Sequence, residues 1–184
     1  MARAALSREA VVDLAVRIVD EDGPAALTLS AVAARAGVAT PSLYKHVRNL
    51  ADLRELLSAR VLGEMADHVG AAVLGRSGDE ALRALMDAWR SYVTRHPGRY
   101  ATVIQAPVAA TVEPGKRLVD IGLAALRAYG LTGSEAIHAV RCLRAAAHGF
   151  SVLETAGGFG LPEKLDDTYE LMFHMIVSGL RAPR

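Results

Sequence analysis

Apolar residues in the first quarter of the chain recur with the 3.6-residue period of helices, and polar caps mark where each helix begins. Val11, Leu14, Ala15 and Ile18 form one stripe behind Ser7, a good N-cap, and Gly23-Pro24 closes this first helix near Asp22. Leu29, Val32, Ala33 and Ala36 fall at i, i+3, i+4 and i+7. Thr28 caps their helix, and Gly37 stands where a left-handed C′ residue stops it. After Val38 the helix restarts at once. Thr40 is predicted as N-cap and Pro41 as the first helical residue, where a missing N–H costs nothing. The resulting helix, 41–47, is too short to stand alone, so Leu43 and Val47, one turn apart, must lean on the rest of a domain.

Further on, Asn49 with Asp52 predicts the cap of a long helix to about Leu74, striped by Leu50, Leu53, Leu57 and Val61. The GRSG segment, 75–78, ends it. A helix over about 79–95 carries Leu82, Leu85, Met86, Trp89 and Val93, and His96-Pro97-Gly98 stops it. A short helical piece with Tyr100, Val103 and Ile104 is expected before Pro107, and another helix from Pro114-Gly115 to about Tyr129. Thr132 with Glu135 reads as a capping box for a helix to Thr155, and Asp167 with Glu170 as the opening of a last helix to about Leu180. That last helix is apolar almost all round, so it must be covered on more than one side. No strand-like alternation occurs. The expected fold is all-α, with a three-helix head over residues 1–50 and a helical bundle over 51–184.

Two short helices joined by a glycine-containing turn predict a helix-turn-helix, whose second helix enters the DNA major groove. The outer side of helix 41–47 carries Ser42, Tyr44, Lys45 and His46, with Arg48 just beyond, and these are donors that phosphates and base edges accept. A formal net charge of +1 over 184 residues excludes a wholly basic nucleic-acid binder. The charge is local instead: residues 23–51 contain no Asp or Glu but include Arg35, Lys45, His46 and Arg48. Thr40, Pro41 and Ser42, at the start of the second helix, are the expected base readers. Tyr44, Lys45, His46 and Arg48 are the expected phosphate contacts, and Thr28 and Arg35 flank them on the preceding helix. Arg3 either reaches DNA as an arm or belongs to a disordered tail.

The stretch LTLSAVAARAGVATPSLYKHVRN, with its Ala-Gly-Val turn, its proline at the helix start and its Leu-Tyr-x-His step, resembles the DNA-binding signature of the tetracycline-repressor-like (TetR) family of transcriptional regulators. The resemblance implies a homodimer formed through the last two helices, with Tyr44 and His46 on the DNA backbone. Family members often carry a lysine after the asparagine that starts the next helix. Leu50 stands there, and Arg48 or Arg54 is the expected replacement. The segment RCLRAAAHGFSVLE, 141–154, resembles a TetR C-terminal type marked by a Trp-His-Gly step, with Ala147 in place of the tryptophan. The freed space either enlarges a pocket or is filled by another side chain.

A regulator of this kind, expected to be a repressor, implies a near-palindromic operator and a small-molecule effector that releases it. Trp89, Tyr92, Tyr100 and His148 are candidate lining residues for an effector cavity, although each fits a packed core better. His138 and Cys142 are spaced i, i+4 with no third ligand, so no metal is expected, and Cys142 reads as a buried inert thiol. No nucleophile and base converge and no phosphate-binding glycine loop is present, so neither an enzyme nor a cofactor is expected. The absence of a signal peptide, a membrane span or a disulfide pair points to a soluble cytoplasmic protein. A helical dimeric interaction protein or sensor without DNA binding is the rival reading. It leaves the hydroxyls and cations of helix 41–47 unexplained.

Overall fold

The computed structural model describes residues 6–103 and 108–181, and all regular structure among them is helical. The expectations for Arg3, Ile104 and Pro107 fall outside the described residues. The α-helices are α1 (Arg8–Glu21), α2 (Leu29–Ala36), α3 (Leu50–Val73), α4 (Gly78–Arg95), α5 (Pro97–Ala101), α6 (Val112–Leu126), α7 (Gly133–Thr155) and α8 (Leu165–Arg181). By compactness the chain divides into two units. One comprises Met1–Glu64 with His96–Gly115, and the other Met65–Arg95 with Lys116–Arg184.

The local chemistry explains most helix ends. The Ser7 hydroxyl accepts from the Ala10 N–H at 3.1 Å and the Thr28 hydroxyl from the Ala31 N–H at 3.1 Å. Gly37 adopts φ +66°, and the Val38 N–H closes back on the Ala33 carbonyl at 3.0 Å. At α3, the Asp52 N–H donates to the Asn49 side chain at 2.9 Å, while the Asp52 carboxylate accepts from the Arg48 N–H at 2.9 Å. Two expected caps do not form. Thr40 is the first residue of a 3-10 helix, Thr40–Lys45, preceded by Ala39 at the cap position without a side-chain bond. Six residues containing a proline offer too few i→i+4 bonds for an α-helix, so the tighter winding closes Ser42 N–H on Ala39 and His46 N–H on Leu43. Thr132 occupies the cap position of α7, yet its hydroxyl makes no cap bond. Helices α6 and α8 start two residues earlier than expected, at Val112 and Leu165.

In the first unit Val11, Ala15, Ile18 and Val19 of α1 pack with Leu27, Val32, Leu43, Val47, Leu53, Leu57 and Val61, each at most 1% exposed. Helix α5 lies tight on α1, since a Cβ added at Gly98 would stand 2.4 Å from the Val19 carbonyl oxygen. Arg99 fixes this contact by ion pairs to Asp20 at 2.6 Å and Glu64 at 2.9 Å.

The second unit is a bundle centred on Leu82, Met86, Leu126, Leu143, Phe150 and Phe173. Gly122 of α6 lets α7 approach, because a Cβ there would meet Val140 at 2.5 Å. The Phe150 ring packs on Phe159 and Tyr169 with centroids 5.0 Å away in each case.

Candidate nucleic-acid interface

The helix Thr40–Lys45 is held by one side. Leu43 is 0% and Val47 1% exposed, whereas Tyr44 is 57% exposed. Fully burying such aliphatic side chains is worth roughly 1.5 to 3 kcal/mol each, enough to seat a helix that could not persist by itself. Pro41, Tyr44, Lys45 and Arg48 are exposed, while Thr40, Ser42 and His46 are half-buried. Thr40, Pro41, Ser42, Tyr44 and Lys45 therefore share one short helix fastened to the head by its oily side, and His46 and Arg48 follow directly after it.

The cations around it are not equivalent. Arg48 pairs with Asp52 through Nη2 at 2.7 Å and Nε at 3.2 Å, although its side chain stays 77% exposed. The guanidinium bonds, seconded by the Arg48 backbone N–H, hold the Asp52 carboxyl below the usual carboxylate range, and the carboxylate in turn raises the Arg48 pKa. Part of the Arg48 charge is thus already answered. Arg35 is paired as well, to Glu21 at 2.5 Å and Asp22 at 2.8 Å, both just ahead of the acid-free stretch. Thr28 is exposed at the start of α2, with its hydroxyl engaged in the cap and 3.1 Å from that of Ser30.

One residue escaped the sequence reading. Arg8, in the first turn of α1, donates from Nε to the His46 carbonyl at 3.0 Å and so ties α1 to the end of the Thr40–Lys45 helix. Only its place next to the Ser7 cap hinted that it is fixed in position; the partner lies 38 residues away. The Arg48–Asp52 pair was legible as an i, i+4 spacing. Leu50, at the position of the missing lysine, is half-buried, and Arg54 is exposed one turn further on.

Of the candidate effector residues, Trp89, Tyr92 and His148 belong to the second unit and Tyr100 to the first. Trp89, Tyr92 and Tyr100 are buried, and His148 is half-buried, with its pKa lowered by burial and then by Arg144. Ala147 is 2% exposed. Cys142 is exposed, which corrects the expectation of a buried thiol: α7 turns Leu143, Ala147 and Phe150 inward, and its register leaves Cys142 and His138 outside. Among the described residues no group of three His, Cys, Asp or Glu side chains could hold a metal ion.

A left-handed glycine turn leading into a short helix with its phenol and ammonium groups outward defines the class: a helix-turn-helix DNA-binding protein. Residues 11–56 match the family of bacterial regulatory proteins called tetR, and residues 82–176 match the tetracyclin repressor-like C-terminal domain. The chain belongs to the TetR family: it is a DNA-binding transcriptional regulator and not an enzyme. It is 36% identical over 159 residues to the uncharacterised HTH-type transcriptional regulator Rv0681 of Mycobacterium tuberculosis (strain ATCC 25618 / H37Rv), covering 84% of this chain and 72% of that one. In fold it is similar to a TetR variant from Acinetobacter baumannii AYE in complex with minocycline, with TM-score 0.75, 20% identity and coverage of 97% and 99%. It is also similar to BioQ with its double-stranded DNA operator, with TM-score 0.68, 24% identity and coverage of 97% and 99%. Among the described residues no helix is long and apolar enough to cross a membrane.

Proposed function

We propose that the chain acts in the cytoplasm as a homodimeric repressor that a small-molecule effector releases from a near-palindromic operator. The DNA-binding domain is residues 1–50, with Arg54 just beyond it within reach of the backbone, and dimerisation and sensing fall within 51–184. Each protomer places its Thr40–Lys45 helix in the major groove, and the two helices meet successive grooves about 34 to 36 Å apart. Thr40, Pro41 and Ser42 read base edges. Tyr44, Lys45, His46 and Arg48 hold phosphates, with Thr28 and Arg35 as flanking contacts and Arg54 available in place of the lysine absent at Leu50. The observation that carries this reading is the outward Tyr44 and Lys45 on a helix anchored by buried Leu43, with buried Val47 just after its end.

Dimerisation through α7 and α8 is supported by apolar side chains that the chain leaves uncovered there: Ile137, Leu153, Leu171 and Met175 are 44%, 47%, 61% and 67% exposed. An effector bound to the second unit favours a dimer with the wrong helix separation, so effector and DNA weaken each other's binding by the same factor. A gel-shift titration on the region upstream of its own gene, over a salt series, tests the reading. Sequence-specific retardation with a steep negative salt slope is the expected result. Retention of a dimer with no binding beyond that to random duplex would replace it by the helical interaction protein.

A further inference from the structure

Arg8 opens α1 beside the C-terminal end of the Thr40–Lys45 helix, bonded from Nε to the carbonyl of His46, the residue that caps that helix. This bond occupies one N–H of the guanidinium and leaves the donors on both Nη atoms. The residue is exposed, and among the described residues it forms no ion pair. Two acids stand near enough to be felt. The Glu9 carboxylate turns back on its own N–H and the Ser7 hydroxyl, which lower its pKa ahead of any pull from Arg8. The Asp52 carboxylate is taken by Arg48, through Nε, Nη2 and the backbone N–H, and Arg8 acts on it more weakly than any of these. Neither acid answers the Arg8 charge by contact.

Position identifies what does. A recognition helix meets base edges with its N-terminal end, so cations gathered at its C-terminal end meet the sugar-phosphate backbone. Three gather here: Lys45 and Arg8, both exposed and unpaired, and Arg48, partly answered by Asp52. A guanidinium pinned at Nε has given up much of its rotamer freedom before DNA arrives, so less is lost when its Nη atoms engage. Its planar fork can serve a carbonyl and a phosphate at the same time, which a single ammonium group cannot do in the same fixed geometry.

We infer that Arg8 is a DNA-backbone contact: Nε stays on the His46 carbonyl while the two Nη atoms take the oxygens of a phosphate beside the end of the Thr40–Lys45 helix. Helix α1 thereby grips the DNA as well as the core of the head. This rests on the placement of the Thr40–Lys45 helix in the major groove proposed above.

The test measures binding of the full chain to a short random-sequence duplex by fluorescence anisotropy over a salt series, because phosphate contacts act in specific and non-specific complexes alike. Arg8→Gln removes the charge and keeps an N–H able to serve the His46 carbonyl. It is expected to lower the slope of log K against log salt by about 0.9 and to weaken binding on the order of threefold to tenfold at low salt. Arg17→Gln makes the same charge change at an exposed site nine residues further along α1 and should leave the slope unaltered. Arg8→Lys should keep the slope, because it keeps the charge. A second measurement needs no variant: phenylglyoxal, followed residue by residue in peptide masses, should modify Arg8 less in the wild-type complex with the duplex than in the free protein.

A wild-type slope in Arg8→Gln would reduce Arg8 to a structural tie and overturn the proposal. Equal falls in Arg8→Gln and Arg17→Gln, a fall in Arg8→Lys matching that in Arg8→Gln, or undiminished phenylglyoxal modification of Arg8 on DNA would overturn it too. Lys45→Ala, run alongside, separates this contact from the placement beneath it. A lowered slope for Lys45→Ala alone keeps the helix in the groove and removes Arg8. A lowered slope for Arg8→Gln alone keeps Arg8 on the backbone and removes Lys45, and lowered slopes for neither remove both.

Discussion

The head and the last two helices treat their apolar residues in opposite ways. In the head, Ile18, Leu27, Leu43, Leu53 and Leu57 are at most 1% exposed, and the large apolar side chain left outside among residues 6–64 is Tyr44. On α7 and α8, Tyr169, Phe173 and Val177 are covered, yet Ile137, Leu153, Leu171 and Met175 remain in the open. Both regions have the same helical period and similar composition. Counting apolar residues therefore does not tell a closed core from a surface awaiting another protomer; what matters is how many sides of each helix the chain itself can cover.

That contrast can be broken by mutation, and the largest effect is expected on the open side. The double change Leu171→Asp with Met175→Asp should turn the dimer into a folded monomer by sedimentation, and weaken operator binding on the order of 10² to 10⁴-fold by removing the second half-site. A dimer that survives it would move the interface elsewhere. On the closed side, Leu43→Ala should cost about 2 to 5 kcal/mol of stability in denaturant melts and take DNA binding with it. A loss below about 1 kcal/mol would mean that the helix is not seated as described.

Smaller effects sharpen the picture of the exposed face. Lys45→Ala should lower the slope of log K against log salt by about 0.9, and Arg48→Ala by visibly less, because Asp52 already answers part of that charge. Equal slopes for the two variants would show the ion pair to be open on DNA. The smallest effect follows from pH. Asp52 has its pKa lowered on folding, so its contribution to stability is complete above the unfolded value of about 3.9 and is lost as pH falls through the lower folded value. Melting of wild type and Asp52→Asn at a series of pH values should therefore converge below about pH 4. A constant gap down to pH 2 would assign the loss to the shape and uncharged hydrogen bonds of the side chain and not to its charge.

The head was the most legible part of the molecule, because each boundary there carries its own local chemistry. Ser7, Thr28, Gly37 and Asn49 act within three or four residues of themselves, and sequence spacing alone finds such bonds. The second helix of the motif was expected over 41–47 and runs Thr40–Lys45, and its winding was not legible, since Pro41 suits the first turn of either helix type. What depends on distant partners stayed hidden. The Arg8 bond to His46 and the outward register of Cys142 are set by how whole helices pack.

The chain has one tryptophan, and it sits 7% exposed on α4. Selectively excited emission therefore arises from one place in the second unit, with no indole in the head to blur it. Events that loosen or repolarise the surroundings of α4 should change its colour and intensity, while fraying confined to the Thr40–Lys45 helix should leave it unaltered. The unlabelled protein thus reports optically which of its two units has responded.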